Sequence, residues 1–232
     1  MKHILNHIAF IPDGNRRWAK DQGLSSLEGH RKGYEVFKSL ADWCIDRNIP
    51  ELTFWGLSTE NWKRSKEEIG YLMDLFLRVL TTDVGQLTDK GFRFRFIGRR
   101  DNFSRKILKA IERAESAVVK DEKGQFNLCF DYGGRPEILE GVRQCLRDGL
   151  NPDALTEQQV QERLWSSVMK SDIDLTIRTS GEQRLSGFQP WRASYSELYF
   201  SQLHWPGFSQ EELDKAITWY AKRNRRFGGD AK

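Results

Sequence analysis

Six short runs rich in β-branched and aromatic residues, at 7–12, 51–57, 92–98, 126–132, 174–179 and 197–201, are separated by longer stretches whose apolar positions recur every three or four residues. The first pattern predicts strands and the second amphipathic helices. Their alternation predicts an α/β fold: a mostly parallel sheet of about six strands with helices on both faces. After the first strand, Tyr34, Phe37, Leu40, Ala41 and Cys44 draw one apolar stripe on an otherwise charged helix. Ser65 with Glu68 predicts a capping box ahead of Ile69, Leu72, Met73, Phe76 and Leu80. Ile107, Ala110, Ile111, Ala114 and Val118 repeat the stripe, and Ser209 with Glu212 caps a last helix carrying Leu213, Ala216, Ile217 and Tyr220. The stretch 151–171 reads as helical around 157–164 and as loop elsewhere. With no repeat and no linker, the 232 residues predict a single domain over 1–232, with flexible ends at 1–6 and 229–232.

Composition narrows the class. Charged residues are 30% and apolar ones 38%, and no apolar run nears the about 18 to 20 residues that cross a bilayer. The opening M-K-H-I-L-N-H lacks the parts of an export signal, so a cytoplasmic protein is expected. Cys44, Cys129 and Cys145 are odd in number, widely spaced and on apolar faces, which predicts buried free thiols. A net charge of +4 permits an anionic partner without choosing among nucleic acid, acidic lipid and phosphorylated small molecules. Eight tryptophans and fourteen phenylalanines supply either a large core or a greasy pocket.

In a parallel sheet the ligand sits at the carboxyl ends of the strands, and here the residues just past those ends are polar. P-D-G-N-R-R-W at 12–18 puts a carboxylate, a glycine and two arginines in one strand-to-helix turn, which is either an anion site or a solvated loop. S-T-E-N-W-K-R at 58–64 is a second polar turn behind an apolar strand. In R-T-S-G-E-Q-R-L-S at 178–186, Arg178, Arg184 and Ser186 could grip one phosphate between them. Glu197 opens the sixth strand, where a carboxylate calls for either a metal or an arginine partner. Among the histidines only His30, at a helix start in L-E-G-H-R-K-G, is placed to meet an anion; its other reading is structural. Walker, dinucleotide-fingerprint, C-x-x-C and H-E-x-x-H motifs are absent, and no two aspartates are adjacent.

Together these segments resemble the cis-prenyltransferases, the undecaprenyl and Z-polyprenyl diphosphate synthases, from 7 to 229. The resemblance rests on H-I-A-F-I-P-D-G-N-R-R-W-A at 7–19, G-H-R-K-G at 29–33, S-T-E-N-W-K-R at 58–64, D-Y-G-G-R at 131–135, R-T-S-G-E-Q-R-L-S-G-F at 178–188 and S-E-L-Y-F at 196–200, followed by H-W-P at 204–206. It implies condensation of isopentenyl diphosphate onto an allylic diphosphate with Mg2+. By that resemblance Asp13 places magnesium on the allylic diphosphate, with Glu197 assisting. Gly14, Asn15, Arg16, Arg17, His30 and Arg64 surround the same diphosphate, Trp18, Asn61 and Trp62 shape the reaction centre, and Arg178, Arg184 and Ser186 bind isopentenyl diphosphate. The tail Arg226-Phe227-Gly228 would reach a partner's homoallylic site, which implies a homodimer.

Several positions depart from that pattern. Ser26 stands where many relatives have an arginine for the allylic diphosphate, Gln189-Pro190-Trp191-Arg192 replaces a common Leu-Leu-Trp-Gln, and Arg16 replaces a common glycine. Cys129 and Phe130 stand where long-chain makers have small residues. Phe130 with Phe54, Trp55, Leu72, Met73 and Phe76 then forms either the floor of a short hydrocarbon tunnel or ordinary core. A hydrophobic product would allow at most peripheral membrane contact. The rival readings are a non-catalytic partner subunit, a head-to-middle or cyclising enzyme of the same fold, and nucleic-acid binding, for which no recognition motif is present.

Overall fold

The strand runs hydrogen-bond into one sheet whose central strands are buried on both faces, one face apolar and the other mixing apolar residues with a hydrogen-bonded row of His7, Glu51, Thr53, Gln125 and Asn127, which suits a layer covered on both sides. The computed structural model describes residues 4–225. Its strands are β1 (His7–Ile11), β2 (Glu51–Trp55), β3 (Phe92–Ile97), β4 (Gly124–Cys129), β5 (Leu175–Arg178) and β6 (Glu197–Phe200), in the order β3-β4-β2-β1-β5-β6. Every neighbouring pair is parallel. Each predicted run overlaps one of these strands and overshoots its end by turn residues, and the fourth also starts late, since β4 begins at Gly124 rather than Phe126.

Successive residues of β1 serve opposite layers. Ile8 and Phe10 join the core under the helices α2 (Ser26–Ile45), α3 (Lys66–Arg78), α5 (Arg105–Glu115) and α8 (Gln210–Tyr220), while Ala9 and Ile11 join the core with Trp55, Tyr132 and Phe188 on the other face. The other α-helices are α1 (Asn15–Asp21), α4 (Val84–Asp89), α6 (Gly134–Arg147) and α7 (Glu157–Gln161). A π turn over Val79–Asp83 joins α3 to α4. Cys44, Cys129 and Cys145 are buried free thiols, as expected.

Two expectations about helix ends are corrected. Ser65 and Ser209 do cap α3 and α8, accepting from the backbone N–H of Glu68 (3.2 Å) and Glu212 (3.3 Å). The return half of each box is missing, because Glu68 turns to His30 and Arg64 and Glu212 turns to Ser201, where buried partners outcompete an exposed backbone N–H. Val118 lies past the end of α5 and is 84% exposed, so its place in the stripe is coincidental.

The chain runs from β1 through β2 to the edge strand β3, inserts β4 between β3 and β2, then crosses back to build β5 and β6 on the other side of β1. The direction of growth therefore reverses between β1 and β5, and the crevice beyond their carboxyl ends is where an open α/β sheet accepts a ligand. Ile11 is in register with Arg178, so the loop after β1 meets the end of β5 at that crevice. Among the described residues no helix is long and apolar enough to cross a membrane.

Candidate active site

Asp13 follows β1 directly, and its main chain is pinned before its side chain does anything. The Thr179 hydroxyl (2.6 Å) and the Trp205 N–H (2.9 Å) both donate to its carbonyl. Gly14 comes next at φ 105°, and a Cβ there would fall 2.0 Å from Ser180 Oγ and 2.7 Å from His204 Nδ1, so only glycine lets the loop close. The Asp13 carboxylate accepts from Arg17 Nη2 at 2.8 Å, one helical turn along α1, and from Arg178 Nη2 at 2.9 Å, across the sheet crevice. Burial alone would raise the Asp13 carboxyl, but the two arginines outweigh it and hold it below its ordinary range.

Arg178 links this carboxylate to the loop after β5. Its side chain is 5% exposed, and its Nη1 donates to Ser186 Oγ at 2.8 Å and to the Arg184 carbonyl. Its Nε is a buried donor without a partner, which an anion in the crevice would take up. The Arg184 guanidinium points elsewhere, to Glu182, whose other oxygen accepts from Arg17 at 2.7 Å.

A second cluster forms where α2 passes the start of α3. His30 Nε2 lies 2.9 Å from Glu68 Oε1, and Arg64 donates to the same oxygen at 3.0 Å. Burial above all pushes the His30 imidazole below its ordinary value, with Glu68 opposing and Arg64 and Arg16 reinforcing. The Glu68 carboxyl is held down in turn, burial being outweighed by His30 and Arg64, so it is ionised and accepts. The neutral ring therefore carries its proton on Nε2. Burial likewise pushes His7 down, against an opposing Glu51. Because both rings hold fewer protons folded than unfolded, their stabilising effect is fully present above the ordinary value of 6.5 and is lost as pH falls below it through the lowered folded-state values. The melting temperature is expected to drop between about pH 7 and 5, and to drop less steeply in His30→Gln, as a thermal shift series would read.

Both clusters open into one cavity of about 980 Å³. Asp13, Gly14, Asn15, Arg16, Arg17, His30, Asn61, Arg64, Arg178 and Ser186 line its polar part, and Ser26 lies there too. Deeper in, Phe54, Trp55, Leu72, Phe76 and Phe130 line an apolar part together with Tyr34, Phe37 and Val79. The Phe130 and Phe76 rings stack at 4.0 Å. The Tyr34 hydroxyl donates to Asp83 at 2.7 Å, tying α2 to the π turn beside this part. Asn61 holds its own turn by accepting from the Ser58 N–H at 3.1 Å.

Other expected site residues are placed differently. Met73 does not line the cavity but packs half-buried on the core. Trp62 donates to the buried Asp131 at 2.8 Å, and Arg99 and Asn102 hold the same carboxylate. Trp62 and the half-buried Trp18 are thus not among the lining residues. Glu197 stands opposite Leu175 at the start of β6, about 10 Å below the level of Arg178, because parallel strands put all their starts at one edge. Its carboxylate pairs with Arg223 at 3.2 Å, the arginine partner that was the alternative to metal. Gly228, with Arg226 and Phe227, lies outside the described residues. Among the described residues no group of three histidines, cysteines or carboxylates could hold a metal ion. Three residues of this region were missed by the sequence reading in any role at the site: Asp131, which braces Trp62, Glu182, and Glu68, read there only as a cap. Their partners lie up to 165 positions away, beyond any local signal.

The chain is similar to known proteins along nearly its whole length. A family described as putative undecaprenyl diphosphate synthase matches residues 11–228. An isoprenyl transferase of Thermotoga maritima is 41% identical over 228 residues, 97% of each chain. One of Aquifex aeolicus is 42% identical over 96% of this chain and 95% of its own. Among solved structures, lavandulyl diphosphate synthase from Lavandula x intermedia in complex with dimethylallyl diphosphate superposes with a TM-score of 0.91 at 35% identity, over 96% of this chain and 98% of that one. A probable undecaprenyl diphosphate synthase from Campylobacter jejuni gives 0.80 at 29%, over 97% and 99%.

Proposed function

We infer the chemistry of this chain from its family: it belongs to the undecaprenyl diphosphate synthase family of prenyltransferases and is an isoprenyl transferase enzyme. It condenses isopentenyl diphosphate with an allylic diphosphate to give a longer prenyl diphosphate. The observation that carries the reading is one cavity with arginines at its mouth and aromatic rings in its depth, which matches a substrate with a charged head and a growing hydrocarbon tail.

Arg16, Arg17, His30 and Arg64 hold the allylic diphosphate, and Arg178, Arg184 and Ser186 hold that of isopentenyl diphosphate, with Gly14 and Asn15 shaping the turn between them. Asp13 stands between the two groups, ionised and bonded to an arginine of each. Magnesium fits here in the form the ion prefers, one protein carboxylate with substrate phosphates and water supplying its other ligands. When bound it would stabilise negative charge developing on the departing pyrophosphate. The arginines do the same from fixed positions, and the apolar walls exclude water from the allylic cation. Glu197, paired with Arg223 at the far edge of the sheet, does not reach such a site within one chain, and the homodimer we propose follows from the family resemblance of the tail. A cytoplasmic location with at most peripheral membrane contact, and a Z-configured product of short or medium length, complete the proposal.

Ser26 lies at the start of α2 and lines the polar part of the cavity. Ser26→Arg adds a cation there and is expected to lower KM for the allylic diphosphate by about fivefold, the effect of roughly 1 kcal/mol, leaving kcat within about twofold. Steady-state kinetics checks it; an unchanged KM would remove Ser26 from the allylic site.

The test of the whole reading is incubation with magnesium, isopentenyl diphosphate and dimethylallyl, geranyl or farnesyl diphosphate in turn, with products sized by mass spectrometry. A ladder in five-carbon steps supports it, and its absence with every primer sinks it. A second reading, head-to-middle joining of two allylic diphosphates, is favoured by the likeness to a lavandulyl diphosphate synthase seen with dimethylallyl diphosphate. Product from dimethylallyl diphosphate alone would select it.

A further inference from the structure

The two groups of arginines are joined by one carboxylate that no substrate role accounts for. Glu182 Oε1 accepts from Arg17 Nη1 at 2.7 Å, and its Oε2 accepts from Arg184 Nη1. Arg17 in turn holds Asp13 at 2.8 Å. Glu182 follows Gly181 in the loop after β5, and that loop is built to carry it: Ser180 and Gly181 both sit at positive φ, 74° and 69°. The Gly181 N–H donates to the Ser201 carbonyl at 2.8 Å, and a Cβ on Gly181 would approach the Gln202 side chain at 2.7 Å, so the turn that delivers Glu182 is tightly defined. With each oxygen on a different guanidinium, the carboxylate copies the way a bridging phosphate would engage the pair.

We propose that Glu182 is a resident anion that occupies Arg17 and Arg184 in the ligand-free protein and is displaced by a substrate diphosphate. The proposal rests on the reading of this cluster as the diphosphate site. A diphosphate brings several negative charges where Glu182 brings one, so it wins the arginines, but it must first break two ion pairs and then bind beside a like charge. Glu182 therefore weakens diphosphate binding and, by returning to the arginines, favours release of pyrophosphate after each condensation. It acts through Arg17 and Arg184 and is a positioning residue. Because Arg17, Arg184 and Glu182 are all partly open to solvent, the effect is that of exposed ion pairs, a few-fold in affinity.

Titration calorimetry of the full chain with inorganic pyrophosphate tests this. Glu182→Gln keeps shape and removes charge, and is expected to tighten pyrophosphate about two- to fivefold and to lower its inhibition constant as a product by the same factor. Glu182→Asp keeps the charge and should bind within about twofold of the natural chain. The gap between Glu182→Gln and the natural chain should shrink at 1 M salt, about where charges are screened within 3 Å, which a loss of shape would not do. Weaker or equal binding by Glu182→Gln at an unchanged melting temperature would overturn the proposal, since it would mean that Glu182 holds the arginines ready for the ligand. Failure of the natural chain to bind pyrophosphate at all would instead overturn the reading of the cluster as a diphosphate site.

Discussion

Replacing Asp13 by alanine lowers kcat/KM about a hundred- to a thousandfold, the scale on which removing one preorganised charge from a developing transition state is felt. The carboxylate is held below its ordinary range by Arg178 and Arg17 despite burial, so it is ionised at any pH at which the enzyme would be assayed. It also bonds to Arg17 and to the buried Arg178 at once, one arginine of each diphosphate group. Asp13→Asn separates shape from charge: it can still accept from one arginine, so most of the activity loss should persist while KM for the diphosphates moves less than kcat. The stability cost is smaller than the activity cost. Arg178 is left buried without its anion, but Asp13 keeps 29% of its side chain exposed, which limits the penalty to about 1–2 kcal/mol, below that for breaking a fully buried pair. Near-natural turnover by Asp13→Ala would remove this residue from the chemistry and leave it a structural partner of Arg178.

Phe130→Ala changes what is made rather than how fast. The Phe130 ring is buried, stacks on Phe76 at 4.0 Å and lines the apolar part of the cavity. Removing it opens space along the path a growing chain would take, and the principal product is expected to lengthen by at least one five-carbon unit. The fold is expected to lose about 3 kcal/mol, the low end for a buried phenylalanine, since part of the ring already faces the cavity rather than packed atoms. In a chain of this size that corresponds to a fall in melting temperature of roughly 6–12 °C, read by calorimetry. Phe130→Leu should lose less stability and lengthen the product less. An unchanged product from folded Phe130→Ala would make these aromatics ordinary core and move the determinant of length elsewhere in the cavity.

Much of this was legible before any coordinates. β1 and β2 are short runs rich in apolar and β-branched residues bounded by turn chemistry, and runs of that kind have few places to go except a covered sheet. The polar turn at 12–18 stood out because it follows such a strand directly, and Asp13, Arg17 and Arg178 do meet. Glu68 shows where local reading stops. From its spacing to Ser65 it belongs in a capping box, yet its carboxylate serves His30, 38 positions away. The spacing rule counts only the backbone within reach, whereas a buried histidine and an arginine offer the charge-assisted bonds that a half-exposed N–H cannot match. Met73 shows the same limit in the core: its stripe is right, but whether a stripe residue faces a cavity or filled space depends on what the neighbouring elements bring.

The sequence by itself determined the strands, the helices that cover them and the kinds of residue at each strand end, because these follow from local period, turn chemistry and burial preference. Only the tertiary structure decided which of those ends meet. The reversal of strand order between β1 and β5 puts Asp13 against Arg178, and the parallel register keeps Glu197 at the far edge in its pair with Arg223. The bridge of Glu182 between Arg17 and Arg184 likewise exists only because α1 and the loop after β5, far apart in the chain, close over one crevice, where unlike charges brought together from a distance select one another by geometry.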